Sequence, residues 1–202
     1  MKTDALIIFT RNPELGKVKT RLAKTIGDEK ALEVYTHLLL HTMNQTRLLT
    51  CDKFVFYDTS IIKNDIWPET IYHKKIQSGE DLGEKMYRAF ELLFNMGYKN
   101  CMIVGSDLFD LKKEIIDVAF QKLQKNDAVI GPAEDGGYYL LGLKKLNSAL
   151  FKNKVWGTST VLADTLKDLN RQSVYLLETL NDIDTFEDLN RSNYEILQNH
   201  FN

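Results

Sequence analysis

Short apolar runs alternate with helix-period patterns along the 202-residue chain, and this alternation restricts the fold more than any other feature. Ala5-Leu6-Ile7-Ile8-Phe9, Phe54-Val55-Phe56-Tyr57, Cys101-Met102-Ile103-Val104, Ala128-Val129-Ile130, Tyr138 to Leu143 and Val174 to Leu177 read as strands, with Thr70 to Ile76 shorter and nearer an edge. A run that is apolar at every position suits a parallel strand covered on both faces. Asp28 is predicted to cap a long helix with Leu32, Tyr35, Leu39 and Met43 on its apolar face. Asp81 and Glu84 form a capping-box pattern for a second helix, which Gly97 stops. Ile115, Ala119 and Leu123 mark a third helix, Ser159 to Leu169 a fourth and Phe186 to Leu197 a fifth. This order predicts a three-layer α/β/α sandwich with a mixed, mainly parallel sheet. The link from Ile130 to Tyr138 is too short for a crossover helix, so one strand there is expected to run antiparallel. With no linker, repeat or low-complexity tract, residues 1–202 are expected to form one domain.

In open α/β sheets, ligands bind beyond the carboxyl ends of the strands. The loops that matter therefore follow Phe9, Val104, Ile130 and Leu177. The first carries four cations, Arg11, Lys17, Lys19 and Arg21, punctuated by Pro13 and Gly16. Guanidinium groups clamp phosphate oxygens in pairs and lysines add point charge. The net charge of the chain is only −2, so this basic loop is a local device suited to a small anionic ligand rather than to duplex nucleic acid. The competing reading is a solvated charge cluster. The loop is not a Walker motif, because Val18 follows Gly16-Lys17 and the upstream glycine is missing, and no dinucleotide fingerprint is present.

Asp107, in Gly105-Ser106-Asp107, should emerge just past a buried strand. Mg²⁺ commonly takes one or two protein carboxylates and completes its shell with water and substrate phosphates, which suits Asp107. Asp110 reads as the N-cap of the next helix. In Gly131-Pro132-Ala133-Glu134-Asp135-Gly136-Gly137-Tyr138-Tyr139, Asp-Gly is a turn signal. Gly136 and Gly137 either let backbone approach a ligand or adopt positive φ, and Asp135 can either accept hydrogen bonds from a sugar or base or sit in the outer shell of the metal. Strand alternation turns only one of Tyr138 and Tyr139 toward a ligand. After the last strand, Asp182 or Asp184 can supply a second metal carboxylate, while Asp184-Thr185-Phe186-Glu187 also reads as a helix cap. Trp156-Gly157-Thr158 either walls an acceptor pocket or covers the core. His37 and His41 lie one helical turn apart with no third ligand, and packing is the reading preferred for them.

Cys51 and Cys101 are too few for a disulfide scaffold or a cysteine-based zinc site, and free thiols suit a reducing cytoplasm. Met1-Lys2-Thr3-Asp4 leads into a strand without an apolar signal region, and no apolar stretch approaches the ~20 residues that span a bilayer. A cytoplasmic location is the expectation.

These pieces occur in a characteristic order: Phe9 to Leu22, Gln77-Ser78-Gly79-Glu80-Asp81-Leu82-Gly83, Gly105-Ser106-Asp107, Gly131 to Leu140, then Asp182-Ile183-Asp184-Thr185. In that order the chain resembles, along nearly its whole length, the GT-A-type glycosyltransferase-like family often labelled selenodomain-associated transferase. The Gly-Pro-Ala-x-Asp-Gly-Gly-Tyr-Tyr run is the most specific part. More distantly it is similar to phospholactate guanylyltransferases and molybdopterin nucleotidyltransferases, through Lys19-Thr20-Arg21-Leu22, Asp107 and Asp182 to Thr185. The resemblance implies a nucleotide-diphospho-sugar-transferase fold and a divalent-metal site at Asp107. Phe109 and Phe186 stand where related proteins commonly carry proline, a departure that touches loop shape rather than chemistry.

The expectation is therefore a Mg²⁺- or Mn²⁺-dependent nucleotidyltransferase or glycosyltransferase acting on a small-molecule nucleoside triphosphate or nucleotide-sugar. Asp107, Lys19 and Arg21 are the candidate catalytic residues. Arg11, Lys17, Lys19, Arg21, Asp135, Gly136 and Gly137 are candidates for substrate binding, and Asp107, Asp182 and Asp184 for the metal. The rival readings are a non-catalytic nucleotide-binding module or partner subunit, and an α/β protein whose basic loop docks an acidic protein.

Overall fold

The computed structural model describes residues 3–192. Seven strands form one sheet: β1 (Asp4–Thr10), β2 (Asp52–Tyr57), β3 (Tyr72–Ile76), β4 (Asn100–Val104), β5 (Ala128–Pro132), β6 (Tyr138–Leu143) and β7 (Val174–Leu176). Their order across the sheet is β3-β2-β1-β4-β6-β5-β7. Every neighbouring pair is parallel except the two made by β6, which runs antiparallel to β4 and to β5. The carboxyl ends of β1, β4, β5 and β7 and the start of β6 thus share one edge of the sheet. The α/β sandwich, the edge position of β3 and the reversed strand all match the sequence-based expectation.

The helices are α1 (Thr20–Ile26), α2 (Asp28–Thr46), α3 (Leu82–Asn95), α4 (Lys113–Lys125), α5 (Val161–Asp168) and α6 (Phe186–Arg191), with a 3₁₀ turn at Ser148–Phe151. Strand alternation divides the core into two layers. Leu6, Ile8, Val55, Met102 and Val104 point to the side where Tyr35 and Leu39 of α2 and Ile116 and Leu123 of α4 pack. Ala5, Ile7, Phe54, Cys101 and Ile103 point to the other, against Met86, Phe90 and Leu93 of α3 and Phe151. Burying one such large apolar side chain contributes about 1.5–3 kcal/mol. A smaller cluster, including Leu22, Val34, Leu38, Ile183 and Leu189, ties α1, α2 and α6 together.

Several helix starts differ from the pattern reading. Asp28 lies in the first turn of α2, where its charge complements the helix dipole, and Gly27 is the cap. Asp81 does cap α3 by accepting from the Glu84 N–H at 2.8 Å, but Glu84 reaches back to the N–H of Glu80 rather than to that of Asp81. Asp110 does not cap α4; that helix starts at Lys113, whose N–H donates to Gln45 Oε1 at 2.9 Å. Of the helix expected over Phe186 to Leu197, Phe186–Arg191 is present and residues 193–197 lie outside the described residues.

Candidate active site

The basic loop after β1 is fixed by side chains distant in sequence. The Tyr35 hydroxyl accepts from the Arg11 N–H at 2.8 Å, and Asp58 Oδ1 accepts from the Asn12 N–H at 2.7 Å. Burial, with Asp107 nearby, pushes the Tyr35 phenol up to about 12, so it stays a neutral hydrogen-bonding post. The loop ends at Lys19, which adopts a left-handed backbone (φ 48°, ψ 41°) immediately before α1. A non-glycine residue is uncommon there. This conformation accompanies a lysine side chain that is only 3% exposed.

Lys19 Nζ lies 3.1 Å from Asp107 Oδ1 and 4.0 Å from Asp184 Oδ1. Arg21 holds the other oxygen of Asp184 at 2.8 Å. The ammonium also lies 6.0 Å from the centre of the Tyr35 ring. A buried cation is tolerable only when paired, and two carboxylates supply the pairing. The loops that bring these residues together are joined through the backbone, since Ile183 N–H donates to the carbonyl of Asp107 at 3.0 Å. Residues from the start, middle and end of the chain thus meet at the carboxyl edge of the sheet.

Lys17 does not join this group. It is 71% exposed and pairs with Glu14 at 2.6 Å, which raises its pKa. Asp184 is committed to Lys19 and Arg21, whereas Asp182 faces the cavity. Burial, reinforced by the charge of Asp135 and more weakly by Asp107, lifts the Asp182 carboxyl to about 6, with Lys19 opposing part of the shift. The helix cap after these aspartates falls one residue later than the pattern reading. Thr185 caps α6 in a capping box with Asp188, and this register leaves Asp184 available to the two cations.

A cavity of about 500 Å³ opens beside this cluster, lined by Arg11, Tyr35, Asp58, Gln77, Lys85 and Asp107 among others. A second lobe of about 200 Å³ adjoins it and shares Asp107, Asp182, Tyr138 and Tyr139. Its further walls include Asp135, Leu108, Trp156, Thr158 and Val161. Asp135 Oδ1 accepts from the Gly137 N–H at 2.7 Å, closing the turn. Gly136 has φ 87°, and a Cβ there would stand 2.4 Å from the carbonyl oxygen of Ser159. The close backbone approach that this glycine permits is therefore to the Ser159 segment. Strand alternation predicts that only one tyrosine faces the cavity, but both border it: Tyr139 donates to the Glu178 carbonyl at 3.1 Å, while the Tyr138 hydroxyl is buried on the Thr165 side. Trp156 packs on the α3 layer and also lines the smaller lobe. His41 Nε2 donates to the Leu111 carbonyl (2.8 Å) and the ring packs on Phe109, as a packing residue does.

Tyr35, Asn12 and Asp58 are the site residues that pattern reading missed. Tyr35 fits a helical core stripe, and nothing local reveals that its hydroxyl reaches Arg11. Among the described residues no group of three or more His, Cys, Asp or Glu side chains is arranged to hold a metal, and no helix is long and apolar enough to cross a membrane.

Residues 42–158, which run from late α2 to just before α5, match the family model described as "Uncharacterized protein conserved in bacteria (DUF2064)". No curated protein matches the sequence. Among solved structures, the chain is similar to a protein of Desulfovibrio desulfuricans G20 provisionally named a nucleotide-diphospho-sugar transferase, with 33% identity over 99% of this chain and 96% of that one and a TM-score of 0.90. A 4-diphosphocytidyl-2C-methyl-D-erythritol synthase of Anaerococcus prevotii DSM 20548 shares the fold at 16% identity, over 98% and 96% of the two chains, with a TM-score of 0.64. An inositol-1-phosphate CTP transferase of T. maritima does so at 11% identity, over 98% and 96%, with a TM-score of 0.58.

Proposed function

The chain belongs to the DUF2064 family, and on that premise we propose that it is a metal-dependent transferase using a nucleoside triphosphate or a nucleotide-sugar. The observation that carries this reading is the burial of Lys19 between Asp107 and Asp184, beside a cavity that Asp107 and Arg11 line. The names of three neighbours support it: a provisional nucleotide-diphospho-sugar transferase, a 4-diphosphocytidyl-2C-methyl-D-erythritol synthase and an inositol-1-phosphate CTP transferase.

The larger lobe takes the nucleotide. Arg11, Lys19 and Arg21 neutralise its phosphates, Lys19 and Arg21 exchanging carboxylate partners for phosphate oxygens. Lys17 contributes charge from the rim only. Asp107 and Asp182 are hard oxygen donors, and their mutual repulsion is relieved by a cation, so they fit Mg²⁺ or Mn²⁺ with phosphates and water completing the shell. An ion held by Asp107 and Asp182 would supply charge neutralisation at phosphate oxygens. Asp184 positions Lys19 and Arg21 instead of ligating the metal.

The smaller lobe takes the acceptor, and Asp135, at its wall, accepts a hydrogen bond from it. In glycosyl transfer the acceptor oxygen bonds to the anomeric carbon and the nucleoside diphosphate departs. In nucleotidyl transfer it bonds to the α-phosphorus and pyrophosphate departs. In both, the cations stabilise charge growing on the departing phosphate.

A thermal-shift panel of nucleoside triphosphates and nucleotide-sugars, with and without Mg²⁺ or Mn²⁺, tests this reading. A ligand of the folded state at a hundred times its dissociation constant adds about 2.7 kcal/mol of stability. Stabilisation that needs the metal is expected, followed by pyrophosphate or nucleoside diphosphate release. A panel with no shift defeats the proposal, and a shift without turnover makes the protein a nucleotide-binding module.

A further inference from the structure

The two lobes differ in charge in a way that bears on the acceptor. The larger is bordered by Arg11 and Lys85 as well as by aspartates. Among the described residues bordering the smaller lobe there are three carboxylates, Asp107, Asp135 and Asp182, and no lysine or arginine. The rest of its wall is mostly apolar, with Met86, Leu108, Trp156 and Val161. A cation held by Asp107 and Asp182 offsets those two charges and leaves Asp135. An anionic group entering here meets a carboxylate and apolar surface, and among the described residues bordering the lobe no cation; Lys19, behind Asp107, is paired with that carboxylate. Aromatic and aliphatic walls beside a carboxylate suit an apolar or ring-shaped body that carries hydroxyl or amine donors.

We infer that the acceptor lobe selects an acceptor without a phosphate or other anionic group, one that lays a ring or hydrocarbon face on Trp156 and gives a hydrogen bond to Asp135. This inference rests on the transferase reading only in treating the lobe as the acceptor side. It narrows the two chemistries: transfer to an oxygen or nitrogen of a neutral or cationic molecule is favoured over transfer to a phosphate monoester.

Phenyl glucoside and phenyl phosphate share an aromatic body and differ in the charge of the head group, which makes them a matched pair. Their binding is followed by the Trp156 contribution to fluorescence, defined as the signal lost in Trp156→Phe, in the full chain with and without a nucleotide and Mn²⁺. Phenyl glucoside is expected to bind at least about tenfold tighter than phenyl phosphate, the cost of one like-charge contact. Thr158→Lys, which adds a cation at the wall of the lobe, is expected to reverse or erase the preference. Equal or tighter binding of phenyl phosphate to the unaltered chain overturns the inference, as does the lack of any Trp156-dependent response to either probe. Preference for the glucoside in a protein that no nucleotide stabilises supports the chemistry of the lobe and defeats the transferase reading alone.

Discussion

The two lobes that meet at Asp107 and Asp182 are walled by different means. The larger is held by polar contacts between residues far apart in sequence: Tyr35 to Arg11, Asp58 to Asn12, Lys19 to Asp107 and Asp184. Two of the residues that wall the smaller, Trp156 and Tyr139, rest instead on glycines behind the wall where any side chain collides. A Cβ on Gly83 would stand 2.3 Å from the Phe151 carbonyl oxygen and 2.7 Å from the Trp156 ring, and one on Gly131 would stand 2.4 Å from the Tyr139 ring. Polar partners can be exchanged for ligand atoms with little movement, whereas close-packed walls keep one shape. The larger lobe is thus adaptable in charge, and the smaller is fixed in form.

The difference can be broken at its hinge. Asp107→Asn removes a charge shared by both lobes and is expected to lower turnover by about 10²–10³-fold while the fold persists. Product release in Mn²⁺ with a parallel thermal melt measures this, and full activity would remove Asp107 from the site. Gly83→Ala attacks the packed wall alone. It should cost about 1–3 kcal/mol by urea denaturation, because the nearest obstacle is backbone. Nucleotide affinity in the larger lobe should survive, and its loss would mean that the lobes are not independent.

Acidity sharpens the contrast further. The carboxyl of Asp182 is raised in the folded protein, so the folded state binds its proton more tightly than the unfolded chain does. Its contribution to stability in the absence of ligands is therefore present at low pH and declines as pH rises from the ordinary aspartate range through about 6. Metal binding has the opposite sense, since it needs the carboxylate. Mn²⁺ affinity should fall by up to about tenfold per pH unit below that point and level off above it. Calorimetric titration across this range checks both signs; a flat profile would detach Asp182 from the ion. Arg21→Ala, at an exposed pair, should weaken nucleotide binding only severalfold, about 1 kcal/mol. Tyr35→Phe keeps the ring but removes the hydroxyl that Arg11 N–H uses, and should cost about 1 kcal/mol of stability or less.

The strands were legible because burial on both faces leaves continuous apolar runs, and β6 because its link to β5 is short. Asp107, Asp135 and the lysine and arginines of the basic loop were legible because each follows a recognisable strand. What the pattern could not supply was partnership. Lys17 and Lys19 differ by two positions and share a composition, yet one is 71% exposed and the other 3%. The left-handed backbone at Lys19 and a carboxylate 165 positions away decide that outcome. The cap of α6 shifted by one residue because Asp184 and Thr185 are both polar residues able to accept the first N–H groups, and tertiary contacts choose between them; at α2 the cap is Gly27, with no side-chain acceptor, and Asp28 sits in the first turn. At α6 the choice fell on Thr185, and Asp184 was left for Arg21.

Gly136 has a wider consequence. Its carbonyl accepts from the Leu162 N–H at 3.0 Å while its α-carbon rests against Ser159, so the turn before β6 and the first turn of α5 are fastened together. Neither can swing outward alone. Opening of the smaller lobe would have to be a cooperative event in which both segments leave as one piece, and amide exchange should report a common rate for the two.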